Sequence, residues 1–448
     1  MQDTWQIAVH DSLNQLSPSV CMAKFFDVSL HLQSGHNHSC VHPRTHRIPE
    51  QEVIADPHAL HNSRYKQGVR QEMLLGGQPR ECGYCWNLER AGTVSDRIYF
   101  SGPYTDPRTG LIDQVRLHGS QGTYHPRRVE VSFSTTCNFK CTYCGPEISS
   151  RWMKDLDRHG PMDLNRVLFT HESIQDNQKM PIPDDAHNVY IDAFWKWLPE
   201  IYADLQVLRV TGGEPLLSPH TFRVLDWVEA NPKSDLELGI NSNLGVPAKL
   251  MQRFIQRLQQ VAAKRSAAKI VIWTSGESSG AQAEYTRLGL DYAEWLANIE
   301  KILEQCPTVD IRVMTTYSVL SMGTYMDFMR DIYDIKSRWP GRVVLDTHTY
   351  LQFPKYMAID ILTEDFLSDI QREIEFIENH AQSSEHEKWQ SRRCLEYFQH
   401  RLSNPWTDLA IWRDDFYRFF QQFDLRSGTD FQVTFPRLRE FYLACGGQ

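Results

Sequence analysis

No apolar run in this chain approaches the ~18 residues that a membrane-spanning helix needs. The opening MQDTWQIAVHD is acidic and polar where a secretory signal is basic and then apolar. These two absences lead us to expect a soluble, cytoplasmic protein with no membrane partner. An excess of positive charge is also missing: 47 Lys+Arg stand against 56 Asp+Glu, a formal net charge of −9. Phosphate binding favours a positive face, so this balance argues against a nucleic-acid partner. There is no internal repeat and no low-complexity segment. That excludes solenoids and arrays, and with them most disordered or collagen-like readings.

What remains is an ordinary globular balance, with 41% hydrophobic, 11% aromatic and 23% charged residues over 448 positions. This is enough chain for two or three domains of about 100–200 residues each. Three composition zones are visible. Residues 1–126 hold ten of the 18 histidines and four of the ten cysteines, among many turn signals. A helix is expected near Arg64–Leu75, and Gly102–Pro126 reads as an extended linker or irregular hairpin. Residues 127–354 alternate strand and helix signals. Residues 355–448 carry a helical period and are expected to form a helical C-terminal extension.

In the middle zone, β-rich runs occur at 129–135, 205–212, 236–243, 269–276, 310–318 and 342–353. Between them lie stretches whose apolar residues recur at spacings of three and four, such as TFRVLDWVEANP and DYAEWLANIEKILEQC. Ser218-Pro219 and Gly289-Leu290-Asp291 supply helix starts. Six alternating units predict an α/β fold with a parallel sheet, and a partial (β/α)6 barrel rather than the full eight.

Cysteine spacing is the strongest chemical signal. Cys306, Cys394 and Cys445 are scattered singly and read as buried small hydrophobes. Cys137-Asn-Phe-Lys-Cys141-Thr-Tyr-Cys144, by contrast, puts three thiols on one loop just after the first strand of the middle zone. Three ligands to a four-iron cubane leave one iron open to bind something else. The competing readings are a zinc knuckle lacking one ligand and coincidental packing cysteines. A structural zinc normally closes with four ligands, and no histidine lies within the loop.

The Cx3CxΦC spacing, with Tyr143 as the aromatic, resembles the radical S-adenosylmethionine (SAM) enzymes. The second strand ends in Thr211-Gly212-Gly213-Glu214-Pro215, which is similar to that family's GGEP element. The resemblance implies that Gly212, Gly213, Glu214 and Pro215 bind the methionine moiety of SAM, with Glu214 on its ammonium. It further implies a ribose contact at Asn243, at the end of the third strand. Arg287 is implied on the SAM carboxylate, assisted by Ser275. Ordinary strand-end capping is the alternative for Asn243 and Ser275, and an exposed helix-start charge for Arg287.

Cys21, Cys40, Cys82 and Cys85 form a second set, the last two as a CxxC pair that directs two thiolates at one metal. A fully ligated auxiliary [4Fe–4S] cluster, a structural zinc and unrelated thiols compete for it, and spacing does not separate iron–sulfur from zinc. The segments around these cysteines resemble the twitch or SPASM-type cluster domains attached to radical SAM proteins, which implies the auxiliary cluster. The nearby His36, His38, His42 and His46 read as bystanders in a solvated loop, with ligation in place of Cys40 or proton transfer as the alternative.

The resemblance implies the following activity. One cluster, on Cys137, Cys141 and Cys144, reductively cleaves SAM to a 5′-deoxyadenosyl radical, which abstracts hydrogen from a substrate. The expected substrate is a peptide or protein side chain, undergoing oxidation, cross-linking or epimerisation. A small metabolite, sugar or nucleotide is the alternative, and a non-catalytic metal-binding scaffold is the reading of another class. An external electron donor of flavodoxin or ferredoxin type is implied. No residue is assigned as a catalytic acid or base.

Overall fold

All six β-rich runs of the middle zone contain a strand. The computed structural model describes residues 4–446. Its strands are β1 (Asp27–His31), β2 (His36–His38), β3 (His46–Arg47), β4 (Arg128–Ser132), β5 (Lys140–Cys141), β6 (Val207–Thr211), β7 (Lys233–Asn241), β8 (Ala267–Ser275), β9 (Arg287–Leu288), β10 (Val309–Met314) and β11 (Val343–Asp346). Nine of them form one mostly parallel sheet in the order β11-β10-β8-β7-β6-β4-β1-β2-β3, and β5 pairs with β9. Alternation explains the strands: Val129 and Val131, Leu208 and Val210, and Val309, Ile311 and Val313 are all buried.

The helices between strands start where local chemistry directs. Ser218 caps Pro219–Ala230, accepting from the His220 N–H at 3.3 Å, with Pro219 in the first helical position. Asp291 caps Tyr292–Gln305, accepting from the Glu294 N–H at 2.9 Å. Such strand–helix alternation is the basis of a parallel α/β sheet.

The chain divides into two compact units. The first runs up to Ser134 and adds Gln178–Gly212 and Asp235–Leu238. The second comprises Thr135–Asn177, Gly213–Ser234 and Gly239 onward. In the first, β1 lies parallel to β4, Val28 opposite Val129 and Leu30 opposite Val131, and β2 and β3 follow antiparallel. The sequence reading had no strand there, although Val28, Leu30 and Leu32 alternate and are buried.

Gly102–Pro126 also departs from expectation, being mainly helical. Two 3-10 turns lead into the α-helix Leu111–His118 and a further 3-10 turn follows it. Leu111 and Val115, one helical turn apart, both enter the core of the unit, alongside Phe25, Phe26 and Tyr124. That burial outweighs the flanking turn residues. The expected helix near Arg64–Leu75 is present as Arg64–Leu74.

In the second unit the chain ends in the long helices Leu367–Asn379, Glu385–Ser403 and Leu409–Ser427 and the short Arg439–Cys445, as the helical period predicts. Cys306, Cys394 and Cys445 are no more than 1% exposed, as packing cysteines are. Among the described residues, no helix is long and apolar enough to cross a membrane.

Candidate functional site

The loop carrying Cys137, Cys141 and Cys144 is held by every residue between its cysteines. Asn138 Nδ2 donates to the Gly245 carbonyl at 2.8 Å, and Phe139 is buried. Lys140 is buried with its ammonium 2.9 Å from both Asp155 Oδ1 and Ser427 Oγ, over the rings of Trp152 and Phe423. Thr142 donates its N–H to the Thr286 carbonyl at 2.9 Å, and Trp152 Nε1 donates to the Cys141 carbonyl at 2.7 Å. With these side chains turned inward, the three thiols are left half-buried and unpaired. Burial pushes the Cys144 thiol up to about 12 and raises those of Cys137 and Cys141. Thiols so placed ionise when a cation binds them.

Gly213 brings the second motif onto this loop. A Cβ there would lie 2.5 Å from the carbonyl oxygens of both Thr135 and Thr136, so only glycine lets the two backbones meet. Gly212 adopts φ +135°, and a Cβ on it would come within 2.8 Å of the Ser134 carbonyl oxygen. The Glu214 N–H donates to the Thr136 carbonyl at 2.8 Å. Pro215 opens the 3-10 turn Pro215–Leu217, which Glu214 caps.

The Glu214 carboxylate is engaged within the chain. Oε1 accepts from the Leu216 N–H at 2.9 Å and Ser242 Oγ at 2.8 Å, and Oε2 accepts from the Asn243 N–H at 2.6 Å. Burial pushes its carboxyl up to about 7 against these three donors. A carboxylate has about four lone-pair sites, so one remains for an ammonium. Asn243 Nδ2 donates to Asn138 Oδ1 at 2.9 Å, tying the end of β7 to the cysteine loop. Ser275 ends β8 opposite Met314.

Arg287 is buried, not an exposed helix-start charge. It stands opposite Cys141 in the β5–β9 ladder. Its guanidinium meets Glu277 twice, Nε to Oε1 at 2.9 Å and Nη2 to Oε2 at 2.6 Å. Tyr143 Oη donates to the same carboxylate at 3.3 Å, with the Arg287 guanidinium 5.5 Å from its ring centroid. Three guanidinium N–H groups stay available to a ligand. Sequence reasoning missed Glu277. Its signal was position, two residues past the C-terminal end of a parallel strand, where α/β sheets place functional side chains.

In the first unit, Cys21, Cys40, Cys82 and Cys85 line one cavity together with Lys24 and Arg97. Cys21 precedes the helical turn Ala23–Phe26. Cys40 follows β2. Cys82 ends a 3-10 turn, and Cys85 sits in the first turn of the helix Gly83–Arg90. Burial pushes the Cys40 and Cys82 thiols up to about 12 and raises the other two. Four free thiols facing one cavity beside buried cations match the donor chemistry of a thiolate-ligated cluster. The histidines do not lie in a solvated loop, since His36 is buried in β2. His42 Nε2 lies 2.6 Å from Asp96 Oδ2, His36 bonds Ser34, and His38 Nε2 lies 3.1 Å from His31 Nε2. His46, against the Tyr65 ring, keeps a buried Nε2 without a hydrogen-bond partner.

Among the described residues, no group of three or more His, Cys, Asp or Glu side chains is placed to hold a metal ion. In a cubane each thiolate takes a different iron, so its ligands do not share a point. Comparison with protein-family models, with curated proteins and with solved structures returns no match to this chain.

Proposed function

We propose that the protein is a radical SAM enzyme with an auxiliary iron–sulfur cluster, acting on a peptide or protein side chain. The observation that carries this reading is the contact between the two motifs: the backbone of Gly213 and Glu214 lies against Thr135 and Thr136, immediately before Cys137. On this reading the two separated segments that carry the resemblance would form one site. Cys137, Cys141 and Cys144 would hold the catalytic [4Fe–4S] cluster, and Cys21, Cys40, Cys82 and Cys85 the auxiliary one. The catalytic cluster would supply the electron that cleaves SAM to methionine and the 5′-deoxyadenosyl radical, which takes hydrogen from the substrate.

The chain's own residues would bind and orient. Glu214 offers its one remaining lone pair to the SAM ammonium. The free N–H groups of Arg287 face the carboxylate, Glu277 holding the guanidinium plane fixed. Gly212, Gly213, Pro215 and the Asn138–Asn243 pair fix the backbone on which these groups stand. Tyr143 and Ser275 complete the lining. An apolar cavity walled by Trp152, Phe169, Tyr356 and Phe419 opens against Cys144.

The test is anaerobic reconstitution followed by incubation with SAM and dithionite, with formation of 5′-deoxyadenosine as the readout. A protein that takes up iron yet forms none would be the metal-binding scaffold instead.

A further inference from the structure

We propose that Lys24 sets the electron affinity of the auxiliary cluster: its buried positive charge balances the four-thiolate centre and raises its reduction potential. This rests on the auxiliary-cluster reading above and adds a residue to it.

Lys24 is 4% exposed, and the cavity it lines is the one lined by Cys21, Cys40, Cys82 and Cys85. The helical turn after Cys21 tethers it there, its backbone N–H donating to the Cys21 carbonyl at 3.1 Å. Its ammonium pairs with Glu81, which also accepts from Tyr65 Oη. The charge of Lys24 acts on Cys21, Cys40 and Cys82, favouring each thiolate against burial.

Buried cations gather on this side of the first unit. Lys24, Lys66, Arg70 and Arg97 are all at most 4% exposed. The carboxylates near them are Glu81, Glu89 on Arg97, and Asp27, whose carboxyl burial pushes up to about 7. Lys24 and Arg97 each hold one carboxylate, Glu81 and Glu89, and both line the cavity in which four thiolates would add negative charge. Four thiolates on a [4Fe–4S]2+ core carry a net charge of −2, and −3 after one-electron reduction to the 1+ core. A fixed cation at the cavity wall stabilises the more negative state more strongly. Of the two cations that line the cavity, Arg97 is held by both oxygens of Glu89, whereas Lys24 shares Glu81 with the Tyr65 hydroxyl.

The experiment uses the full chain carrying Cys137→Ala, Cys141→Ala and Cys144→Ala, so that one cluster remains, reconstituted anaerobically. Its midpoint potential is followed by EPR during titration with dithionite. Lys24→Met should weaken electron uptake at least tenfold, a shift of about 59 mV to more negative potential for a one-electron couple. Lys24→Arg should hold the parent potential. Loss of iron from Lys24→Met with retention in Lys24→Arg would also support the charge requirement. An unmoved potential in an iron-loaded Lys24→Met protein would overturn the proposal, as would loss of iron from both variants, which marks a packing role. Zinc or no metal in the parent background would overturn the auxiliary-cluster reading itself, and the tuning role with it.

Discussion

Arg287 and Glu277 form a buried bidentate pair directly across the β5–β9 ladder from Cys141. The guanidinium is therefore oriented before any ligand arrives, and the thiols of the loop sit beside a fixed positive charge. Breaking such a pair from one side leaves the other charge uncompensated.

For that reason Arg287→Met should lower the unfolding free energy by about 3–5 kcal/mol. Removing both charges in Arg287→Met/Glu277→Gln should recover most of it, because no buried charge is left alone. Denaturant unfolding of the two proteins checks the stability, and equilibrium dialysis with SAM checks affinity. Equal destabilisation of the single and double variants would show that the two side chains are not coupled.

Gly213→Ala places a methyl 2.5 Å from two carbonyl oxygens. The backbone must part there, at a cost of about 1–3 kcal/mol, and the motif separates from the cysteine loop. SAM cleavage should fall at least tenfold while the iron bound by the first unit is unchanged. Iron analysis and a 5′-deoxyadenosine assay on the same preparation read both effects.

Glu214 gives the stability a pH dependence of known sign. Its carboxyl is held near 7 in the fold, against an ordinary 4.5. The folded state thus keeps a proton that the unfolded chain gives up. This contribution is complete below about pH 4.5 and is lost as pH rises through 7, a loss of up to about 3 kcal/mol. Glu214→Gln does not titrate, and its amide N–H2 opposes a backbone donor. It should be less stable than the parent at pH 5, with the gap narrowing by pH 8. A gap that stays constant over this range would refute the assignment.

Metal content separates the two cysteine sets. Reconstituted protein should bind about eight irons as two [4Fe–4S] clusters, and the Cys137/Cys141/Cys144 triple-Ala protein about four. The latter should form no 5′-deoxyadenosine. Zinc in place of the remaining irons would make the first-unit site structural, since zinc has no redox chemistry.

Much of this was legible in the linear text, because the signals were local. Spacing within eight residues put Cys137, Cys141 and Cys144 on one loop. Period-two runs marked six strands, and Ser218-Pro219 and Asp291 marked helix starts. The N-terminal zone was less legible. There Leu111–His118 draws its stability from a core assembled out of distant segments, and β1 from its pairing with β4, almost a hundred residues later. Neither signal stands out in a window of ten residues.

By itself the sequence determined which residues are able to ligate and where strands alternate with helices, since these depend on neighbours a few positions apart. Only the tertiary structure decided that Glu277 holds Arg287, that Asn138 meets Asn243, that three donors occupy Glu214, and that Lys24 shares a cavity with four cysteines. Apart from Leu216 on Glu214 and Cys21 beside Lys24, those partners are ten to more than a hundred residues apart. Their pairing follows from how the sheet registers and the core closes, which no local periodicity encodes.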